Sequence, residues 1–222
     1  MDDPSFLLVW TNFPAAREDA FNAWYDNEHL PDRLAIPGMR EVRRYRALSG
    51  GPKYAALYEA GSAEVMLSPA YMALRARPDP NSKNFIPFFT EVIRANASAS
   101  VDRGGGVGRF AVLQALDIEG EAAGVLAWLG NEVLASLDAV RTRLLVTDRA
   151  LMAAQASGLA GSERKGMRAP EQVASCVVVL EAESAAACAE MGLSLSRALE
   201  RREDVRATGV GVFEMITRLV AE

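Results

Sequence analysis

The chain has 222 residues, 50% of them hydrophobic and 24% charged, with a formal net charge of -5 and an isoelectric point near 5.1. That much apolar material can fill one large core or two small ones, and with no surplus of Lys and Arg to neutralise phosphates a general nucleic-acid binder is excluded. The start, Met1-Asp2-Asp3-Pro4, is acidic where a signal peptide is basic, and no apolar run reaches the roughly 20 residues that cross a bilayer, so no membrane partner and a cytoplasmic location are expected.

In chain order the first half reads as strand Ser5–Thr11, helix Ala16–Ile36 broken near Pro31, strand Met39–Leu48, strand Lys53–Ala60, helix Ala63–Ala76 and strand Thr90–Ala97. That order is βαββαβ. Pro37-Gly38 closes the long helix and Ser49-Gly50-Gly51-Pro52 turns a hairpin. The polar loop Arg77–Pro87 is long enough to serve as a flap over a site. Arg103-Gly104-Gly105-Gly106-Val107-Gly108 leads into a strand, whereas a phosphate-binding glycine loop leads into a helix, so it reads as a flexible link.

The second half repeats the order: strand Arg109–Leu116, helix Ala122–Ala139, strand Thr142–Arg149, strand Ala174–Ala182, helix Ser184–Arg201 and strand Thr208–Thr217. An Ala-, Gly- and Ser-rich stretch from Ala150 to Pro170 replaces the short hairpin. Phe6 and Phe110 are 104 residues apart, as are Trp24 and Trp128, Asn27 and Asn131, Glu28 and Glu132, and Leu30 and Leu134; later the offset is 122, pairing Glu59-Ala60 with Glu181-Ala182 and Ser62-Ala63 with Ser184-Ala185. Ordered matches at constant spacing point to a duplicated unit, with units at residues 1–103 and 104–222.

The strands themselves predict how the units meet. A sheet with helices on one face and water on the other alternates apolar and polar residues. Phe6-Leu7-Leu8-Val9-Trp10 and Val177-Val178-Val179-Leu180 do not alternate. The second face is therefore covered, and the economical cover is the sheet of the other unit. The expected fold class is α+β: two tandem ferredoxin-like units whose antiparallel sheets form a barrel within one chain. A further pairing into a homodimer of the tandem chain stays open. Cys176 and Cys188 fall on a buried strand and an adjacent helix and are expected as reduced thiols.

His29 is the single histidine, and its counterpart 104 residues on is Val133; Pro31 is likewise replaced, by Ala135. Tyr25 and His29, four apart on a helix, share a face, with Asp32 three further along. Pro31 cannot donate to the carbonyl of Asn27 and should bend the helix there, opening a cleft between helix and sheet. Of the aromatic residues, 13 precede Gly104 and three follow it. That bias suits a flat organic ligand, contacted by Trp10 and Trp24 and oriented by the hydroxyls of Tyr25, Tyr45, Tyr54 or Tyr58. Arg44 and Arg46 on the second strand are candidate anchors for a carboxylate or phenolate.

The segment Trp24-Tyr25-Asp26-Asn27-Glu28-His29-Leu30-Pro31-Asp32-Arg33-Leu34-Ala35-Ile36-Pro37-Gly38 resembles the helix signature of the EthD-like branch of the dimeric α/β-barrel superfamily, in which a His soon followed by Pro leads to Pro-Gly and the second strand. The resemblance implies a cofactor-independent oxygenase, isomerase or cyclase acting on an aromatic or polyketide-like molecule, with His29 as acid or base beside Tyr25. No cofactor is called for, and no CxxC, HExxH or carboxylate cluster of metal-site spacing is present. The alternatives are a non-catalytic binder of a small hydrophobic ligand or a structural protein, and a haem-handling protein with His29 as axial ligand.

Overall fold

A computed structural model describes residues 3–163 and 171–221. The first βαββαβ series comprises β1 (Ser5–Asn12), α1 (Glu18–Trp24), α2 (Leu30–Leu34), β2 (Met39–Gly51), β3 (Tyr54–Ala60), α3 (Pro69–Ala76), α4 (Pro80–Phe85) and β4 (Thr90–Arg103). The second comprises β5 (Phe110–Ile118), α5 (Ala122–Trp128), β6 (Arg141–Thr147), α6 (Arg149–Gly158), β7 (Cys176–Ala182), α7 (Ala185–Leu199) and β8 (Val205–Val220). In each series the strands lie in the order fourth, first, third, second, and the two sheets join at both edges, β2 to β8 and β4 to β6, closing an eight-stranded antiparallel barrel. Closure gives every strand two partners and leaves no row of backbone N–H and C=O groups unpaired at an edge.

That closure explains the strand boundaries that differ most from the sequence reading. β4 runs to Arg103 rather than ending at Ala97, because Ala97 to Arg103 pairs with Thr142 to Thr147 of β6. β8 reaches Val220 by pairing along the whole of β2. Small and polar residues such as Ser98, Ser100 and Asp102 look like a loop until another strand lies beside them.

The apolar strands bury both faces, each against a different core. Phe6, Leu8 and Trp10 point into the barrel with Tyr45, Leu57, Leu113, Val177, Val179 and Phe213. Leu7 points outward, into the core beneath the helices of the first series. Val112, Val178 and Leu180 do the same beneath the helices of the second. The barrel interior is filled: the Trp10 and Phe213 rings meet edge to face at 5.3 Å, and Trp10 Nε1 donates to the Pro52 carbonyl at 2.6 Å.

At one end of the interior the two series are stitched by buried charge. Glu181 Oε1 accepts from Arg43 Nη1 at 2.6 Å and from Arg143 Nη1 at 3.1 Å, while its Oε2 accepts from the Gly108 N–H at 3.0 Å. Arg143 also lies 3.3 Å from Asp102 and 3.5 Å from Glu59. The glycine-rich link is thus anchored rather than loose: a Cβ on Gly108 would sit 2.5 Å from the backbone of Ala182, so only glycine lets the chain pass here. Gly38, at φ +91°, makes the turn out of α2, where a Cβ would strike Val65 at 2.6 Å.

Strand register changes one of the pairings between the two series. Phe6 and Phe110 do not correspond, since Phe6 faces the barrel interior and Phe110 packs against the helix-side core of the second series. Opposite Glu59 lies Phe6, and opposite Glu181 lies Ala111, so the strand offset is 105. In the helical arm the offset of 104 holds: a wide π-type turn occupies Tyr25–His29 and again Leu129–Val133. Because the second turn forms beside Ala135, Pro31 is not what widens the first; the arm widens in both series at the same place. The long helix expected over Ala16–Ile36 is accordingly α1, this turn and α2.

The Ala-rich stretch of the second series is not a loop. Asp148 caps α6 by accepting from the Leu151 N–H at 2.8 Å, and α6 leaves its own series to lie on the first, where Leu151 joins the core. Residues 164–170 of that stretch lie outside the described residues. Cys176 and Cys188 are free and buried.

Candidate functional site

Between the helical arm and the outer face of the first sheet lies a cavity of about 30 Å³. Its polar lining is Tyr25, His29, Arg33, Tyr58, Tyr71, Arg75 and Arg94; its apolar lining is Leu7, Val9, Ile86 and Phe89. Each comes from a different part of the fold for a local reason. The π-type turn puts Tyr25 and His29 on the inner side of the arm, with their rings 4.6 Å apart; such one-turn widenings recur at functional sites because they free backbone and shift side-chain phase. Tyr58 comes from β3, and its hydroxyl lies 3.2 Å from that of Tyr25. Burial pushes the Tyr58 phenol well above its ordinary pKa, reinforced by the neighbouring Tyr25 and only partly opposed by the charge of Arg33. It is a neutral hydroxyl at any physiological pH.

The loop expected as a flap is a folded cover. Asp79 caps α4 by accepting from Ser82 N–H at 2.8 Å; beyond it, Ile86 and Phe89 roof the cavity while Phe85 stacks on Trp24 at 4.9 Å.

Of the residues singled out in the sequence, His29, Tyr25 and Tyr58 meet at the cavity. The others are elsewhere. Trp10 and Tyr45 point into the barrel, on the opposite face of the sheet, because they stand an odd number of residues from the outward-facing Leu7 and Val42. Burial, with the nearby Glu181 charge, raises the Tyr45 phenol. Trp24 and Tyr54 belong to the helix-side core without lining the cavity. Arg44, rather than waiting for a ligand, is paired within the core: its guanidinium lies 3.0 Å from Asp26, donates to Asn22 Oδ1 at 2.6 Å and covers the Tyr25 ring at 4.4 Å. Arg46 is exposed and paired with Glu214 at 3.8 Å. Most of the aromatic bias of the first half is also core, as in the Phe13 and Phe21 rings stacked at 4.1 Å.

Three arginines that the sequence reading passed over line the cavity. Arg33, Arg75 and Arg94 are 8%, 6% and 5% exposed. Arg33 stands four residues after His29 on the same arm, a spacing that could have found it. Arg75 and Arg94 are held from the other series: Gln155 of α6, itself 1% exposed, accepts on one Oε1 from Arg75 at 2.6 Å, from Arg94 at 2.9 Å and from Asn96 at 2.9 Å, and donates through Nε2 to the Met66 carbonyl at 2.8 Å. No spacing within either half signals that contact.

No family model matches the chain, and no curated protein does. Solved structures do. An anthrone oxidase-like protein superposes with a TM-score of 0.65 at 9% identity, covering 100% of this chain and 94% of that one. A candidate monooxygenase from Fusobacterium nucleatum gives 0.55 at 8% identity, covering 100% and 98%. The fold is the dimeric α/β barrel. A candidate chlorite dismutase (TM-score 0.54, 11% identity, 98% and 96% covered) and a haem-binding protein from Thermus thermophilus (0.50, 10%, 98% and 92%) share it. Haem therefore has to be tested against the residues of this barrel. A cavity of 30 Å³ is an order of magnitude below the roughly 300–1,000 Å³ of cofactor sites, which are also mostly apolar, whereas guanidinium and phenol groups make up much of this lining. Among the described residues, those lining the His29 cavity do not fit a haem.

Proposed function

We propose that this barrel is a cofactor-independent enzyme of the EthD-like kind, with its chemistry in the unit of residues 1–103 and the unit of residues 104–222 a diverged duplicate. Its substrate is an aromatic or polyketide-like small molecule, and the chain works in the cytoplasm. The observation that carries this reading is the convergence of His29, Tyr25 and Tyr58 on one largely buried cavity. An imidazole exchanges protons near neutral pH. In this reading His29 takes a proton from an acidic C–H of the substrate, and the Tyr58 and Tyr25 hydroxyls hold the resulting enolate or phenolate oxygen. Isomerase, cyclase and oxygenase reactions of carbon acids all begin with that step. The cavity as closed holds only a small group, so a ring enters when the cover of residues 77–89 moves aside.

Proton NMR tests the reading by following deuterium exchange from solvent into the activated C–H of phenolic and 1,3-dicarbonyl carbon acids. The protein should accelerate exchange, and His29→Ala should lower the rate by about 10²–10⁴-fold. Equal rates for the two proteins would remove His29 from the chemistry. A second reading, a non-catalytic binder, draws on the filled barrel interior and the small cavity; it expects ligand binding with no exchange.

A further inference from the structure

One of the buried cations at the cavity stands apart from the others. Three guanidinium groups face it, each more than nine-tenths buried. Buried cations are normally matched one to one. The lining also holds His29 on the arm, Tyr25, Tyr58 and Tyr71, and Glu171 Oε2 lies 3.9 Å from Arg94 Nη1. Glu171 arrives on the return segment of the second series, which runs along β4 with Gln172 bonded to Val92 and Arg94 through backbone groups. Gln155 accepts hydrogen bonds from both Arg75 and Arg94. The Arg33 guanidinium has neither a hydrogen-bond nor an ion-pair partner among the described residues.

We propose that the cavity is a carboxylate-binding site, in which Arg33 is the main ligand group and Arg94, aimed by Gln155, is the second. The inference rests on the reading of this cavity as the substrate site and names the substrate as a carboxylate-bearing molecule. Size agrees with charge. A volume of 30 Å³ holds about two waters, which a carboxylate head would replace. Guanidinium forks match the two oxygens of a carboxylate in plane, so the group is both neutralised and oriented. Gln155 is a positioning residue: by accepting from Arg75 and Arg94 at one oxygen it fixes their separation, and it does so from α6, an element the first series lacks. The second series therefore supplies part of the site.

Calorimetric titration of the full chain with sodium acetate and sodium benzoate, against acetamide and benzamide as neutral isosteres at matched ionic strength, tests this directly. Both carboxylates should bind and the amides should not. Arg33→Gln should weaken acetate by about tenfold or more, whereas Arg46→Gln, at the exposed pair outside the cavity, should leave it unchanged. Gln155→Glu keeps the acceptor and adds a negative charge beside Arg75 and Arg94; it should abolish acetate binding while the thermal unfolding midpoint stays within a few degrees. Equal binding of acetate and acetamide would overturn the anion site yet leave the cavity as a site for neutral substrates. Absence of binding by all four probes would overturn both, and neither result depends on a variant folding.

Discussion

The two series of this barrel share strand order, helical arm and even the π-type turn, yet they spend the space beneath that arm differently. In the first, the turn presents Tyr25 and His29, with Arg33 beyond and Tyr58 and Arg94 opposite, to a polar cavity. In the second, the positions matched by register are Leu129, Val133, Leu137, Leu180 and Val210. Leu129, Val133 and Leu180 are core, with Leu137 packed on them. The backbone feature that looks like a device for function is thus common to a polar cavity and to an ordinary apolar layer. What differs is side-chain chemistry and one added helix, α6, which crosses to the other series and completes the polar layer there.

The comparison can be broken first at the seam that both series share. Glu181→Ala should destabilise the chain by about 3–5 kcal/mol, because Arg43 and Arg143 lose the one carboxylate both contact in a buried setting; urea unfolding measures this. A shift below about 1 kcal/mol would mean that Asp102, Glu59 and Glu41 already balance the arginines. Next, matched changes separate core from site. Leu129→Ala should cost about 2–5 kcal/mol and leave acetate binding intact, whereas its counterpart Tyr25→Phe should cost about 0.5–1.5 kcal/mol and slow proton exchange. If both variants lose stability alike, the first layer is core as well.

A smaller effect is expected with pH. Burial pushes the Glu41 carboxyl up, but hydrogen bonds and charge from Arg43 and Arg218 outweigh it and hold the group at about 2. A carboxylate whose folded pKa lies below its ordinary 4.5 adds stability that is complete above that value and is lost as pH falls towards 2. Glu41→Gln should therefore lower stability by a constant amount at pH 7 to 9 and flatten the acid limb of the profile between those limits. The smallest effect concerns the thiols. Burial raises Cys176 to about 12 and Cys188 to about 11, so alkylation by iodoacetamide at pH 8 should follow global unfolding rather than precede it. Faster labelling at Cys188 would show the α7 layer of the second series opening on its own.

The amino-acid sequence by itself determined the local order: the double βαββαβ succession, the faces that must be buried, the hairpin and helix stops, and the asymmetry that singles out His29 and Tyr25. These follow from short-range chemistry, in which residue spacing along one element fixes what shares a face. Tertiary structure decided the rest. Trp10 and Tyr45 went to the barrel interior because strands buried on both sides carry no sign of which face is which, and Phe110 fell out of register for the same reason. Arg44 was consumed by Asp26, and Arg94 was recruited beside Arg33, because an arginine's role depends on which carboxylate the fold brings to it. The deepest part of the site, Gln155 reaching from α6 to Arg75 and Arg94, joins residues more than 60 positions apart in the chain, and only closure of the barrel sets them side by side.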